Sequence, residues 1–178
     1  KVPYDELIFG KPHADIYIDD LGIEFSTKDK LDKKIESLQP YIVIPMAGHG
    51  KRFKDVGISK PKFMIEVRNK TLFEWSLDSL PVEISRKIIF ICLEEHEKEF
   101  SVSKFIKNIM KEKYPKINYE LIYLEKTTRG QVETVLHAKR LIYSENPLII
   151  YNIDTHFIST RLKSKILTLK NQNIDGLL

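Results

Sequence analysis

Short, almost uninterrupted apolar stretches constrain the fold of this 178-residue chain more than any other feature. Residues 87–93 (KIIFICL) and 147–153 (PLIIYNI) contain hardly any polar side chain. Strands of this kind are buried on both faces, which is typical of a parallel sheet covered by helices. The other predicted elements alternate along the chain: strands over 41–45, 117–124 and 174–178, and helices over 72–80, 95–112, 130–143 and 159–172. This alternation predicts an α/β fold with a Rossmann-like, mostly parallel, doubly wound sheet flanked by helices.

The composition limits the classes of ligand and partner that a protein with such a fold can bind. Lys and Arg outnumber Asp and Glu only by 29 to 25, which permits anionic ligands but is far from a nucleic-acid-binding signature. No apolar run approaches the length of a membrane span, and no secretory signal is visible. With Cys92 as the single cysteine, these features predict a cytoplasmic protein that contacts neither nucleic acid nor membrane.

The strongest local signal follows the first predicted strand, in residues 44–62 (IPMAGHGKRFKDVGISKPK). Gly48 and Gly50 allow the backbone to turn tightly and approach phosphate oxygens, and the basic residues after them supply positive charge. The segment is not a Walker A loop, and Phe53 occupies the third glycine position of a G-x-G-x-x-G motif. An ordinary strand-to-loop turn with surface charges is the alternative interpretation.

Residues 44–67 resemble the signature of the sugar-phosphate nucleotidyltransferase family, which has the nucleotide-diphospho-sugar transferase type of fold (glycosyltransferase-A-like). In that family an apolar strand leads into A-G-x-G-x-R-[LF], a short insert, P-K and another apolar strand. The resemblance implies transfer of a nucleoside monophosphate from an NTP to a phosphorylated acceptor. It implies nucleotide contacts from the backbone of Ala47, Gly48 and Gly50. Arg52 would hold the departing pyrophosphate, and Lys62 would stabilise charge at the α-phosphate, both as catalytic residues.

Asp154 ends the apolar stretch 147–153. From the pattern alone it is either a turn residue or helix N-cap, or a carboxylate that holds a hard divalent ion. The triplet Asn152-Ile153-Asp154 resembles the segment that carries the family's metal-binding aspartate. The resemblance therefore implies a Mg²⁺ cofactor bound by Asp154.

A second loop, residues 127–131 (TTRGQ), precedes a predicted helix and resembles the family's second nucleotide-contacting loop. The resemblance implies nucleotide contacts from Gly130 and Gln131, and a plain helix-start turn is the alternative. Glu125 stands where these enzymes often have a base-reading glutamine. An acceptor-only carboxylate there would favour a base with an exocyclic amine, such as cytosine.

Residues 9–20 (FGKPHADIYIDD) resemble the end of a haloacid-dehalogenase-type capsule biosynthesis phosphatase. Lys11 matches its phosphate-neutralising lysine, and Asp19 and Asp20 match its magnesium-binding acidic pair. The nucleophilic D-x-D-x-[TV] motif is absent from the chain, so no phosphatase activity is expected. A plain strand with an acidic turn is the alternative. We therefore expect a phosphatase remnant over 1–25, a charged linker helix over 26–40 and the nucleotide-binding part of a transferase over 41–178.

The remaining residues with chemical potential are interpreted as structural. The histidines show no zinc-ligand spacing, and His49 is expected to be a solvated loop residue rather than a phosphate ligand. Phe73 and Trp75, on the predicted helix 72–80, are expected in the core.

The function expected from these observations is a nucleotidyltransferase that acts on a sugar phosphate or similar phosphomonoester in envelope or capsule precursor synthesis. The alternatives are a cytidylyltransferase for a non-sugar phosphomonoester and a non-catalytic nucleotide-binding regulatory module. The expected partners are an NTP and a phosphorylated small molecule. Because residues 41–178 are short for such a domain, we expect a truncated chain that is weakly active or inactive alone, with homo-oligomerisation through the missing C-terminal part.

Overall fold

The structure, a computed structural model, describes residues 39–142 and 146–169. The expected phosphatase remnant, nearly all of the expected linker helix and the predicted strand 174–178 lie outside the described residues. The elements in chain order are β1 (Tyr41–Pro45), α1 (Lys51–Lys54), β2 (Glu66–Val67), β3 (Lys70–Thr71), α2 (Leu72–Asp78), β4 (Lys87–Leu93), α3 (Glu94–Phe100), α4 (Val102–Lys113), β5 (Tyr119–Leu124), α5 (Gln131–Leu136), β6 (Leu148–Ile150) and α6 (Leu162–Leu169). Single 3₁₀ turns occupy Lys62–Met64, Val82–Ile84 and Lys139–Leu141.

Over the described residues, the main sheet has four parallel strands in the order β5-β4-β1-β6, and β2 and β3 form a separate antiparallel pair. The two inner strands, β1 and β4, are buried almost throughout, which explains why their sequences are continuously apolar. Helices lie between successive strands of the sheet, as right-handed parallel connections require. The predicted α/β fold with a parallel sheet flanked by helices is confirmed.

Two hydrophobic cores cover the two faces of the sheet, because side chains alternate along each strand. The first core contains Ile88, Phe90 and Cys92 of β4 and is closed by side chains of α2 and α4. The second core contains Ile89 and Ile91 of the same strand, together with residues of α5 and the segment after it. Loss of either core would expose one face of both inner strands.

A capping box fixes the start of α2. The backbone N–H of Glu74 donates to Thr71 Oγ1 at 3.3 Å, and the backbone N–H of Thr71 donates to Glu74 Oε2 at 2.8 Å. Lys113, at the end of α4, forms an ion pair with the same glutamate. These contacts set the direction of α2, which carries Ser76 and is capped by Ser79, two serines that hold a loop of the cleft.

Several predicted elements have other bounds in the structure. The predicted helix 95–112 is two helices, because Ser101 adopts the left-handed conformation (φ 51°) between α3 and α4. The predicted helix 130–143 ends at Leu136 and is followed by a 3₁₀ turn, and the predicted strand 147–153 pairs only over Leu148–Ile150. The predictions 72–80 and 117–124 match α2 and β5 with shorter bounds, and the predicted helix 159–172 begins at Leu162 as α6, with its last three residues outside the described part of the chain. Among the described residues, no helix is long and apolar enough to cross a membrane.

Candidate active site

A cleft with a volume of about 640 Å³ is formed by segments that follow β1 and β6. These strands are neighbours in the sheet and run parallel, so the segments after them leave the sheet at the same edge. The residues that line the cleft are Gly50, Lys51, Arg52, Phe53, Val56, Lys62, Leu72 and Asp154. The lining thus combines three cationic side chains with a single carboxylate, which suits a polyanion accompanied by a metal ion.

The glycine-rich loop enters the cleft at Gly50. This residue has φ 62°, in the left-handed region that favours glycine, and its carbonyl accepts the backbone N–H groups of Phe53 at 2.8 Å and Lys54 at 3.2 Å. The turn starts α1 immediately, which places Arg52 in the cleft lining. The glycine is therefore required by the backbone conformation of the turn that brings the basic residues to the cleft.

Lys62 and Asp154 form a direct ion pair, although 92 residues separate them in the chain. Their side chains are 31% and 43% exposed, so both groups are accessible from the cleft. A carboxylate that completes its coordination with phosphate oxygens is the usual way in which proteins hold Mg²⁺ with a nucleotide, and Asp154 fits that role. The carboxylate that pairs with the ammonium of Lys62 through Oδ2 would then ligate the ion.

Ser76 of α2 and Ser79, the residue that caps the end of α2, hold the loop that carries Asp154. Ser76 Oγ donates to the carbonyl of Thr155 at 3.0 Å, and Ser79 Oγ accepts the backbone N–H of Phe157 at 3.0 Å. Both serines are buried. No sequence motif points to these two serines, and their only signal is that a polar residue stands on the otherwise apolar face of α2 and another at its end.

His156 packs away from the cleft and against α2. Its Nδ1 lies 2.9 Å from the carbonyl oxygen of Trp75 and 2.9 Å from Ser79 Oγ, and since a carbonyl only accepts, Nδ1 carries the proton. The imidazole also packs edge-on against the indole of Trp75, with 5.0 Å between the ring centres. Phe73 is fully buried as expected, whereas Trp75 is only partly buried and supports the loop instead of filling the core.

The loop after β5 is connected to the segment that leads into Asp154. Gln131 Nε2 donates to Asn152 Oδ1 at 2.8 Å, and both residues are exposed. Gly130 precedes α5 in an extended conformation (φ 177°) that any residue can adopt. Thr128 Oγ1 donates to the Gly130 carbonyl at 2.9 Å and so holds the turn.

The structure brings four of the nine predicted site residues into the cleft lining and leaves five outside it. Those in the lining are Gly50, Arg52, Lys62 and Asp154. Those outside are Ala47, Gly48, Glu125, Gly130 and Gln131. Ala47 is buried in the second core, and Glu125 is exposed at the end of β5, which β4 separates from β1.

A parallel sheet with a glycine turn, basic side chains and a carboxylate beyond adjacent strands is the arrangement of an α/β protein that binds an anionic ligand beyond its strand ends. The nucleotidyl transferase family model matches residues 42–177, and the chain belongs to this family. The predicted nucleotidyltransferase class is thereby confirmed. The chain has no match among curated proteins.

Solved structures with the same fold carry related names. The nucleoside-diphosphate-sugar pyrophosphorylase from Vibrio cholerae RC9 is 30% identical, with 66% of this chain and 51% of that chain covered and a TM-score of 0.52. The inositol-1-phosphate CTP transferase from T. maritima is 16% identical (72% and 49% covered, TM-score 0.58). A UDP-glucose pyrophosphorylase complexed with UDP-glucose is 15% identical (75% and 53% covered, TM-score 0.54). The last two show similarity of fold alone, and the chain spans about half the length of these structures.

Proposed function

We propose that this chain is the nucleotide-binding part of an enzyme that transfers a nucleoside monophosphate from an NTP to a sugar phosphate, or a similar phosphomonoester, with release of pyrophosphate. The observation that carries the proposal is the convergence of Arg52, Lys62 and Asp154 on one cleft beside the Gly50 turn. The name of the 30% identical Vibrio cholerae protein supports a sugar-linked acceptor.

The proposed reaction is an in-line displacement at the α-phosphorus. An oxygen of the acceptor phosphate forms a bond to the α-phosphorus while the bond to the α–β bridging oxygen breaks, and pyrophosphate leaves with the electron pair. Lys51, Arg52 and Lys62 line the cleft. In the proposed reaction Lys51 and Arg52 would neutralise the departing phosphates, and Lys62 would stabilise the charge at the α-phosphate. Asp154 would hold Mg²⁺, which when bound supplies further neutralisation of the phosphate oxygens.

Lys62 must change its partner for this role. In the structure its ammonium pairs with Asp154, so binding of the NTP replaces that carboxylate by a phosphate oxygen. Both side chains are partly exposed, and exposed ion pairs are weak, so the exchange costs little. The ion pair with Asp154 therefore keeps the Lys62 side chain in the cleft until a phosphate oxygen replaces the carboxylate.

The residues outside the cleft lining have roles that depend on contacts with the base and ribose. We propose that the backbone of Ala47 and Gly48 contacts the nucleotide from one side, and that Gly130 and Gln131 contact it from the loop after β5. Glu125 would select the base only if the end of β5 reaches it. Binding of CTP, UTP and dTTP to Glu125→Gln tests this, and an unchanged preference would exclude the role.

The proposed product and substrates also suggest a pathway and a compartment for the reaction. A sugar nucleotide product would serve envelope or capsule precursor synthesis, as the resemblance of residues 9–20 to a capsule phosphatase suggests. NTP substrates and a single cysteine favour the cytoplasm.

Pyrophosphate release tests the proposal. Because this chain is expected to be weakly active or inactive alone, the full-length enzyme that contains it is combined with Mg²⁺, each NTP and a panel of glucose-1-phosphate, inositol-1-phosphate and phosphocholine. Equilibrium binding of each NTP is measured in parallel. We expect one NTP and a sugar phosphate to give Mg²⁺-dependent release that Arg52→Ala reduces. Release with phosphocholine alone would favour a non-sugar acceptor. Tight NTP binding without release from any pair would favour a regulatory module over an enzyme.

A further inference from the structure

Three metal-ligating side chains meet beside the glycine-rich loop, outside the cleft described above. His49 belongs to that loop, after β1, and Glu95 and His96 belong to α3, directly after β4. Because β1 and β4 are parallel neighbours, both segments leave the sheet at the same edge. One ligand atom from each of the three residues lies within 4.8 Å of the others.

His96 makes the cluster more than a chance grouping of polar side chains. The residue is only 2% exposed, and its Nδ1 has no hydrogen-bond partner among the residues that the structure describes. An unpaired buried nitrogen destabilises the fold unless it has another partner, such as a metal ion. The imidazole is held between the rings of Phe63 and His49, with 6.2 and 6.4 Å between the ring centres.

The charge state of His96 also suits a ligand. Burial lowers its pKa, and the nearby His49 and Lys54 lower it further, against the opposing effect of Glu95 and Glu99. The neutral imidazole is thus favoured, and it is the form that binds metals.

We propose that His49, Glu95 and His96 bind a transition-metal ion of the Zn²⁺ type. Two imidazoles and one carboxylate form a donor set that zinc prefers, whereas Mg²⁺ prefers oxygen ligands. The ion would connect the glycine-rich loop to α3, in a site separate from the Mg²⁺ expected at Asp154.

Small side-chain movements bring the three ligand atoms within range of one ion and leave the fourth tetrahedral position to water. Tetrahedral zinc with ligands at about 2.1 Å places ligand atoms about 3.4 Å apart, so the three groups must close in by about 1 Å. His49 and Glu95 are partly exposed and can rotate, with 3.9 Å between Nδ1 and Oε1. Lys54 Nζ lies 3.7 Å from the same Oε1 and must be displaced.

Calorimetric titration of the untagged full chain with Zn²⁺ tests the inference. Excess Mg²⁺ occupies oxygen-only sites, and no nucleotide is present, so the result is independent of the proposed transferase function. We expect one equivalent of Zn²⁺, with affinity lowered about tenfold or more in His49→Ala and in Glu95→Gln. Titration with Co²⁺ should give the visible absorption of a nitrogen- and oxygen-ligated site, lost in the same variants.

Matched controls separate the site from general metal binding. His137→Ala and Glu112→Gln remove an exposed histidine and an exposed glutamate elsewhere and should leave the affinity unchanged. Because His96 is buried and its replacement could prevent folding, the test depends on the two exposed ligands. Absence of Zn²⁺ binding, or equal affinity in His49→Ala and His137→Ala, would overturn the inference.

Discussion

At the scale of single residues, the ion pair between Lys62 and Asp154 is expected to matter for the proposed reaction and not for the stability of the fold. Both side chains are partly exposed, so solvent screens their attraction and the pair adds little to the stability of the fold. Their position in the cleft lining gives each a role only when phosphate or metal is present. Stability and turnover should therefore respond very differently when one partner is removed.

We expect Lys62→Met to change the free energy of unfolding by less than about 1 kcal/mol. Turnover in the proposed reaction should fall by about 10²–10³-fold, because charge at the α-phosphate loses its stabilising cation. Lys87→Met is the matched control. Lys87 pairs with Glu120 at 2.8 Å, and the two side chains have similar exposure (25% and 39%), but Lys87 is the first residue of β4 and therefore lies at the opposite end of the strands from the cleft. Denaturant unfolding and pyrophosphate release measure the two effects, and equal losses of activity in both variants would contradict the assignment.

At the scale of elements, α2 holds the loop that carries Asp154. Ser79→Ala removes the acceptor of the Phe157 N–H and the neighbour of His156 Nδ1, so we expect a loss of about 1–2 kcal/mol in unfolding free energy. A loosened loop should also weaken Mg²⁺-dependent nucleotide binding. Ser85→Ala, which removes a single bond to the carbonyl of Val82, is the control and should leave nucleotide binding unchanged. Nucleotide affinity unaltered by Ser79→Ala would show that the loop needs no support from α2.

The junction of α3 and α4 depends on Glu97. Its carboxylate accepts the backbone N–H and the hydroxyl of Ser103, each at 2.6 Å. Burial alone would raise the pKa of Glu97, but these hydrogen bonds and one from Tyr123 outweigh it and hold the pKa below its ordinary value of 4.5. The ionised carboxylate is therefore the form that the fold prefers.

A lowered pKa in the folded state makes this contribution dependent on pH. It is fully present above the ordinary value of 4.5 and is lost as the pH falls through the lower value of the folded state. The difference in unfolding free energy between the wild type and Glu97→Gln should thus be largest near neutral pH and shrink in acid. Ser103→Ala should reproduce part of the effect. If the difference in unfolding free energy between the wild type and Glu97→Gln stays constant from pH 7 to pH 3, the ionised Glu97 carboxylate does not stabilise the fold in this way.

The sequence predicts the bounds of a strand or helix correctly where a local hydrophobic pattern determines them. The sequence predicts β1 and β4 with correct bounds, because both strands are buried on both faces and read as continuous apolar runs. It misses the break at Ser101, which is stabilised by the Glu97 carboxylate and has no local sequence signal. It overextends β6, because an apolar run shows hydrophobicity and not the length of the pairing. Leu148 and Ile150 of β6 remain 44% and 47% exposed.

At the scale of the whole molecule, the site depends on strand order. The loop motif predicts Gly50 and Arg52 locally, but the contact between Lys62 and Asp154 exists because β1 and β6 are neighbours. The sequence analysis did not predict that adjacency, nor the adjacency of β1 and β4 that brings His49 to His96. Contacts between distant segments follow from the arrangement of the sheet, which a local pattern does not contain.

The two cores share the inner strands, so we expect them to unfold together. Phe90→Ala in the first core should cost about 3–5 kcal/mol, and Ile89→Ala in the second about 2–5 kcal/mol. Trp75, the single tryptophan, lies on α2 beside the first core and reports unfolding by fluorescence. Both variants should shift its denaturant midpoint without changing the slope, whereas Ile158→Ala, which is exposed, should leave it unchanged. If Ile89→Ala does not move the Trp75 transition, the two faces of the sheet unfold independently.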